Sequence, residues 1–140
     1  MKLKITDPSG TLDRSFINWL CIQIRNNVLS TLNTKKLINW DEYFNSESVY
    51  KSIYKKKIFT RDIIIAGISN LYYQTTEDGF WISINPNILT PGLDRIKLIS
   101  VCKLINFGNR QIPGYPIFTN TFQDIANNIN TYVERYMKIS

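Results

Sequence analysis

Few side chains in this sequence could carry out catalysis. Its 140 residues include no histidine, which excludes the Ser-His-Asp and Cys-His arrangements and the common catalytic zinc sites. Asp41 and Glu42 are adjacent carboxylates, and so are Glu77 and Asp78. Neighbouring positions on a helix do not face each other, and the second pair lies in a predicted turn. We therefore interpret both pairs as solvated or capping groups, and an enzyme that binds a metal through carboxylates is the least favoured function.

The other candidates for chemistry also point away from an active site. Cys21 and Cys102 stand among apolar residues and cannot supply four zinc ligands by themselves. The first ten residues lack the apolar segment of a signal peptide, so we expect reduced, buried thiols in a cytosolic protein. No glycine-rich stretch has the spacing of a phosphate-binding loop, and the longest apolar run, residues 63–68, is too short to cross a membrane. We predict no catalytic centre, no metal and no cofactor.

Positive charge is the more informative feature. The chain has 17 Lys and Arg against 11 Asp and Glu, a formal net charge of +6, which favours contact with a polyanion or an acidic protein surface. The same excess also serves simply to keep a protein soluble. The densest charge, Lys55, Lys56 and Lys57, lies near the aromatic residues Tyr50, Tyr54 and Phe59. This composition is typical of a nucleic-acid patch, but it carries no recognised motif, and a solvated face is the simpler interpretation.

The first half of the chain predicts a short strand and a long helix. Residues 2–5 alternate between polar and apolar, and a turn follows at residues 7–10. Apolar residues then recur every fourth position from Leu12 to Leu32, which predicts a helix of about twenty residues capped by Thr11 or Asp13. Further along, Asn45 or Ser46 is expected to cap a short helix through Tyr54. Residues 60–68 are either a buried helix or a buried strand, since periodicity does not distinguish the two.

The second half predicts a hairpin followed by two helices. Leu71–Thr75 and Phe80–Ile84 are strand-like, and the Asp-Gly between them predicts a turn in which glycine takes a positive φ. A helix over residues 93–105 should end at Gly108, residues 110–116 should form a rigid loop, and one long helix should run over residues 118–137 with Thr119 or Asn120 as its cap. We therefore predict a single α+β domain over residues 1–140. Its small antiparallel sheet has a central hairpin and is flanked by long N-terminal and C-terminal helices.

The order of segments from Phe59 onward resembles a known family. The sequence FTRDI at residues 59–63 precedes the hairpin, NFGN at residues 106–109 ends the next helix, and PIF at residues 116–118 ends the rigid loop. This order is similar to that of the small tail-completion (head–tail joining, minor tail or neck) proteins of tailed bacteriophages. Those proteins have a Thr-Gly-x-Leu-Arg-x-Ser turn, a Glu-Phe-Gly-Thr segment and a Pro-Phe loop end. The chain departs from this pattern at Arg61, where glycine is usual, and at Asn106, where the family has an acid.

The resemblance implies a structural role and not an enzymatic one. It predicts a virion protein that forms a ring at the head–tail junction or tail end, assembled in the cytoplasm of the bacterial host. Its partners would be copies of itself and other phage neck or tail proteins, with non-specific contact to packaged DNA and no membrane contact. The alternative, suggested by the charge, is a small basic nucleic-acid-binding protein such as a phage regulator.

Contacts in such a ring should come from loops and exposed faces. Aromatic and basic side chains are the usual anchors of interfaces, and two segments combine them, the loop 109–115 and residues 50–59. The predicted interface residues are Arg110, Tyr115, Tyr54, Lys55, Lys56, Lys57 and Phe59. Tyr115 is expected to lie outside the core, so that its replacement by alanine would weaken assembly and leave the monomer folded.

Overall fold

The fold is known from a computed structural model that describes residues 1–46, 58–93 and 95–139. In chain order the elements are β1 (Leu3–Thr6), α1 (Arg14–Leu32), α2 (Ile38–Ser46), α3 (Thr60–Ser69), β2 (Leu71–Thr76), β3 (Gly79–Ile84), α4 (Leu98–Phe107), α5 (Ile117–Asn127) and α6 (Ile129–Ile139). The α+β class and the predicted hairpin are confirmed.

The sheet has the strand order β1-β3-β2, and both pairings are antiparallel. The β2–β3 hairpin places β3 in the centre, where Phe80, Ile82 and Ile84 are buried. Trp81 lies on the opposite face, with the ammonium of Lys2 at 4.0 Å from its ring centroid. Phe16 of α1 contacts Phe80 on one face of β3, and burial of a single face explains why apolar residues recur at alternate positions of the strand.

Gly79 supports the hairpin for a reason other than the predicted one. The glycines with positive φ are Gly10, Gly92 and Gly108, and Gly79 is not among them. Gly79 instead pairs with Thr6 of β1, and a Cβ at this position would clash with the carbonyl oxygen of Ile5. The glycine is therefore required because β1 passes close to the start of β3.

The predicted length of helix α1 and its predicted cap, Asp13, are confirmed. Asp13 accepts a hydrogen bond at Oδ1 from the N–H of Phe16, at 3.0 Å, and so satisfies one of the free donors of the first turn. The predicted apolar stripe is buried at Phe16, Ile17, Leu20, Ile24, Val28 and Leu32. The ring of Phe16 meets Phe80 of β3 edge-on, with ring centroids 6.4 Å apart. The helix thus contacts the sheet at Phe16, and it also packs against α3, α5 and α6.

The segment between α1 and β2 is described in part. Helix α2 begins at Ile38 and ends at Ser46, so Asn45 and Ser46 lie in its last turn, and the helix predicted to follow them through Tyr54 lies outside the described residues. Asn45 also holds Ile58, whose N–H donates to Asn45 Oδ1 at 2.8 Å. Residues 60–68 belong to helix α3, and Asp41 Oδ1 accepts from the N–H of Thr60 at 2.6 Å. The Asp41 carboxylate is therefore a capping group, one of the two roles predicted for it.

Helix α4 ends as predicted but begins later. Gly108 ends it with φ 75°, a left-handed conformation that glycine adopts without strain. Its start is Leu98 and not Leu93, because Gly92 also has a positive φ and the N–H of Leu93 bonds to Thr90 in a turn. Leu93 is buried all the same, so its apolar character marks core and not helix.

The predicted single C-terminal helix is two helices. The break lies at Asn128, where φ is −117° and the side chain donates to the carbonyl of Asp124 at 2.8 Å. Such local side-chain bonding competes with the helical pattern. The predicted caps Thr119 and Asn120 lie inside the first turn of α5, and Pro116 occupies the N-cap position without a side-chain hydrogen bond.

Candidate partner interface

The rigid loop between α4 and α5 is the first predicted contact segment. Its tip is closed by Asn109, whose Oδ1 accepts from the N–H groups of Gln111 and Ile112 at 2.8 and 2.9 Å. The N–H of Asn109 donates to the carbonyl of Ile112 at 3.0 Å. Side-chain and backbone bonds together fix the conformation of this turn. The prediction of a loop with a fixed shape is confirmed.

Two glycines bring the ends of the loop together. Gly108 and Pro113 form an isolated antiparallel bridge, and a Cβ on Gly108 would clash with the backbone nitrogen of Gly114. A Cβ on Gly114 would lie 2.6 Å from the carbonyl carbon of Phe107. The N–H of Tyr115 then donates to the carbonyl of Ile105 at 2.8 Å. The loop is therefore folded back onto the end of α4.

Asn106 joins the loop to α5 and was not singled out as a site residue. It is 1% exposed, and its Oδ1 accepts from the N–H groups of Phe118 and Thr119 at 3.2 and 3.1 Å. Its Nδ2 donates to Thr119 Oγ1 at 2.6 Å. Asn106 thus caps α5 from the preceding helix, a role that Pro116 cannot fill. Two features of the sequence indicate this role. Asn106 is a polar residue on the apolar face of α4, and the next helix begins without a residue of its own that could cap it.

Arg110 and Tyr115 have different environments. Arg110 is exposed at the loop tip, as an interface residue must be. Tyr115 is only 8% exposed and belongs to the core, so the expectation that it lies outside the core is wrong. The hydrogen bond from its N–H to Ile105 places residue 115 against the body of the protein. Burial raises the pKa of its hydroxyl, which has no hydrogen-bond partner among the described residues.

Phe59 is the other predicted interface residue that the structure describes. It is 45% exposed and precedes α3 with an extended backbone, so its ring is available for contact. Tyr54, Lys55, Lys56 and Lys57 lie outside the described residues.

Helix α2 connects the two predicted contact segments. On one side its Tyr43 hydroxyl accepts a hydrogen bond from Asn109 Nδ2 at 3.2 Å. On the other side Asp41 and Asn45 hold residues 58–60. The loop 109–115 and the residues before α3 therefore flank one helix, and the surface that they form with α2 is called the α2 face below.

Basic side chains border the α2 face. Lys35 and Lys36 line two shallow grooves, one with the loop residues Ile112–Tyr115 and the other with Arg61 and Asp41. The Lys35 ammonium lies 4.3 Å from the ring centroid of Tyr115. Ile38, at the start of α2, is 54% exposed and lines both grooves. Two lysines and one exposed apolar side chain therefore lie together at the start of α2.

Both cysteine thiols have surroundings that disfavour the ionised form. Burial raises the pKa of Cys21 to about 11 and that of Cys102 to about 12, so both thiols are protonated and weakly nucleophilic at neutral pH. Within residues 1–46, 58–93 and 95–139, no three His, Cys, Asp or Glu side chains are grouped as metal ligands. Among the described helices, none is long and apolar enough to span a membrane.

Comparison of the chain with protein-family models, with curated proteins and with solved structures found no match.

Proposed function

We propose that this protein is a structural virion subunit of a tailed bacteriophage, present as a ring at the head–tail junction or at the tail end. The observation that carries the proposal is the order of elements in the second half of the fold. A hairpin is followed by a helix that ends at a glycine, by a rigid loop and by a C-terminal helical segment. That is the order of the tail-completion proteins that the sequence resembles.

The construction of the α2 face supports the proposal. Every subunit of a ring presents the same surface to its neighbours, and a surface with little freedom loses less entropy on binding. The loop 109–115 is held by Asn109 and by the contact between Gly108 and Gly114, and Asn106 holds the start of α5 that follows it. Arg110 and Phe59 are exposed on the segments that flank α2. A rigid loop with an arginine at its tip is well suited to repeated contact between subunits.

The alternative function is a basic nucleic-acid-binding protein. It is favoured by one specific observation, the position of Lys35, Lys36 and Arg61 around a single groove. Two features weaken this alternative. Asp41 lines the same groove, and Arg61 donates from Nη2 to Asn33 Oδ1 at 3.1 Å, which reduces its freedom to contact phosphate.

Two measurements on one preparation separate these functions. A regulator should bind DNA with a sequence preference and lose affinity steeply as salt increases. A ring subunit should show no sequence preference and should be recovered in purified phage particles. We expect Arg110→Glu to lower the amount recovered in particles without changing the melting temperature, whereas the charge-matched control Arg25→Glu on α1 should be recovered normally. Sequence-specific DNA binding, with no protein in particles, would contradict the structural role.

A further inference from the structure

Among the residues that the structure describes, strand β1 has a neighbouring strand on one side only. That neighbour is β3. Just beyond the strand, the N–H of Asp7 donates to the carbonyl of Asp78 at 2.6 Å. In an antiparallel ladder the groups of alternate residues point the same way, so the backbone groups of Leu3 and Ile5 point to β3. Those of Lys4 and Thr6 point away from the sheet, where a further strand could bond to them.

A groove of about 420 Å³ lies between the first residues of β1 and the helix α5 that packs beside the strand. One wall is residues 1–4, and the other includes Phe107 from the end of α4 and Phe122 and Gln123 from α5. Phe107 is 62% exposed, although it is a large apolar side chain at the end of an otherwise well buried helix. The groove therefore has the start of the edge strand on one side and an exposed aromatic ring on the other.

The charge around this groove is positive. Lys2 and Lys4 line it. Burial lowers the pKa of the Met1 amino group, and the positive charges of Lys103, Lys2 and Lys4 lower it further. Among the described residues no Asp or Glu lines the groove. Such a surface repels a basic segment and attracts an acidic one.

We propose that an acidic, extended segment of another protein adds to β1 as a further strand. Its backbone would bond to Lys4 and Thr6, its carboxylates would face the lysines, and an apolar side chain would pack against Phe107. A second copy of this chain is a poorer occupant, because pairing β1 with itself would bring lysines of the two copies together. The inference rests on the edge, the groove and the charge, and does not depend on the phage assignment.

The test uses the purified full-length protein and a short, acetylated peptide in which glutamate and valine alternate. We expect binding, with the largest amide chemical-shift changes at Lys4 and Thr6. Lys4→Glu should weaken binding about fivefold or more, and Phe107→Ala should weaken it without loss of the fold because the ring is exposed. Lys138→Glu, which makes the same charge change on α6, should leave affinity within about twofold.

Peptide controls make the test decisive. A peptide with proline in place of its central valines lacks the N–H groups that a strand needs, and it should bind more weakly than the parent. A lysine–valine peptide should not bind. The proposal is overturned if the acidic peptide does not bind, if the proline or lysine peptides bind equally well, or if Lys4→Glu has no effect. Sedimentation as a dimer that dissociates when β1 is altered would also overturn it, in favour of a second copy.

Discussion

At the scale of single residues, Asn106 is a buried polar side chain that joins two helices. It satisfies two backbone donors of α5 and also bonds to Thr119, all from a position that is 1% exposed. If one partner of a buried hydrogen bond is removed, the remaining donor or acceptor is left unpaired. The free-energy cost of that unpaired group is larger than the net contribution of the hydrogen bond. Asn106 therefore connects the end of α4 to the start of α5, which lie on either side of the loop 109–115.

Asn106→Ala should lower the free energy of unfolding by about 2 kcal/mol, because it removes a helix cap and leaves Thr119 and two N–H groups unpaired. Urea denaturation of the purified protein measures this. Asn120→Ala, an exposed position in the same helix, is the matched control and should change stability by less than about 0.5 kcal/mol. Equal stability of the two variants would show that the cap contributes nothing.

Tyr115 is the second residue whose replacement discriminates between roles. Because the ring is buried, Tyr115→Ala should destabilise the protein by about 3 kcal/mol. Tyr115→Phe should be neutral or stabilising by up to about 1 kcal/mol, since it removes a buried hydroxyl that has no partner among the described residues. Melting temperatures of both variants test this. A stable Tyr115→Ala protein would restore the original expectation of an exposed contact residue.

Cys102 makes stability depend on pH in the alkaline range. Burial raises the pKa of its thiol from 9.0 to about 12, so the thiol ionises more easily in the unfolded chain. Stability from this group is complete below pH 9.0 and is lost as the pH rises toward about 12. At pH of about 10.5 the loss should reach about 2 kcal/mol.

The measurement is urea denaturation at neutral pH and at pH of about 10.5, with the wild type and with Cys102→Ala. The variant lacks the thiol. Between the two pH values its free energy of unfolding should therefore fall by about 2 kcal/mol less than that of the wild type. If the two proteins lose stability in parallel, the thiol of Cys102 is not the cause.

At the scale of elements, the sequence predicted what local spacing determines. The apolar residues of α1 recur every fourth position, its cap lies directly before it, and the strands of the hairpin flank a two-residue connection. These signals involve residues close together in the chain, so they are visible without knowledge of the fold.

Gly79 shows where local rules gave the right element for the wrong reason. The close partner of this glycine is Ile5, which is distant in sequence. Gly79→Ala should therefore cost about 3 kcal/mol or more, because the added Cβ clashes with a backbone oxygen that cannot move without displacing β1.

Gly10→Ala provides the comparison, measured in the same denaturation series. Gly10 has a φ of 65° and nothing within 4 Å of an added Cβ, so it should cost only about 1 kcal/mol of left-handed strain. Equal costs at the two glycines would contradict the role assigned to the β1–β3 contact.

The elements that sequence reasoning missed depend on contacts across the fold or on competition within a helix. Asn106 caps a helix that begins eleven positions later. The residue directly before that helix, where a capping side chain is expected, is Pro116. Leu93 belongs to the core although it precedes α4. At Asn128 the apolar spacing continues through the break, so periodicity alone predicted one helix where the structure has two.

At the scale of the whole molecule, the candidate site was predicted in part. The rigid loop with exposed Arg110, and the exposed ring of Phe59, lie on opposite sides of α2, whose part in the surface was not foreseen. The sequence could not show that Tyr115 is turned inward, because this depends on the backbone bond to Ile105 and on the glycine pair. The groove along β1 likewise requires α4 and α5 to be placed beside the strand.

The proposed role as a virion subunit predicts a defect in particle assembly when the gene is removed. Electron-microscopic imaging of particles purified after deletion of this gene tests it directly. We predict particles whose heads and tails are unjoined or whose tails are incomplete, with infectivity lost and then restored by the wild-type gene. Complete particles of normal infectivity would contradict the account.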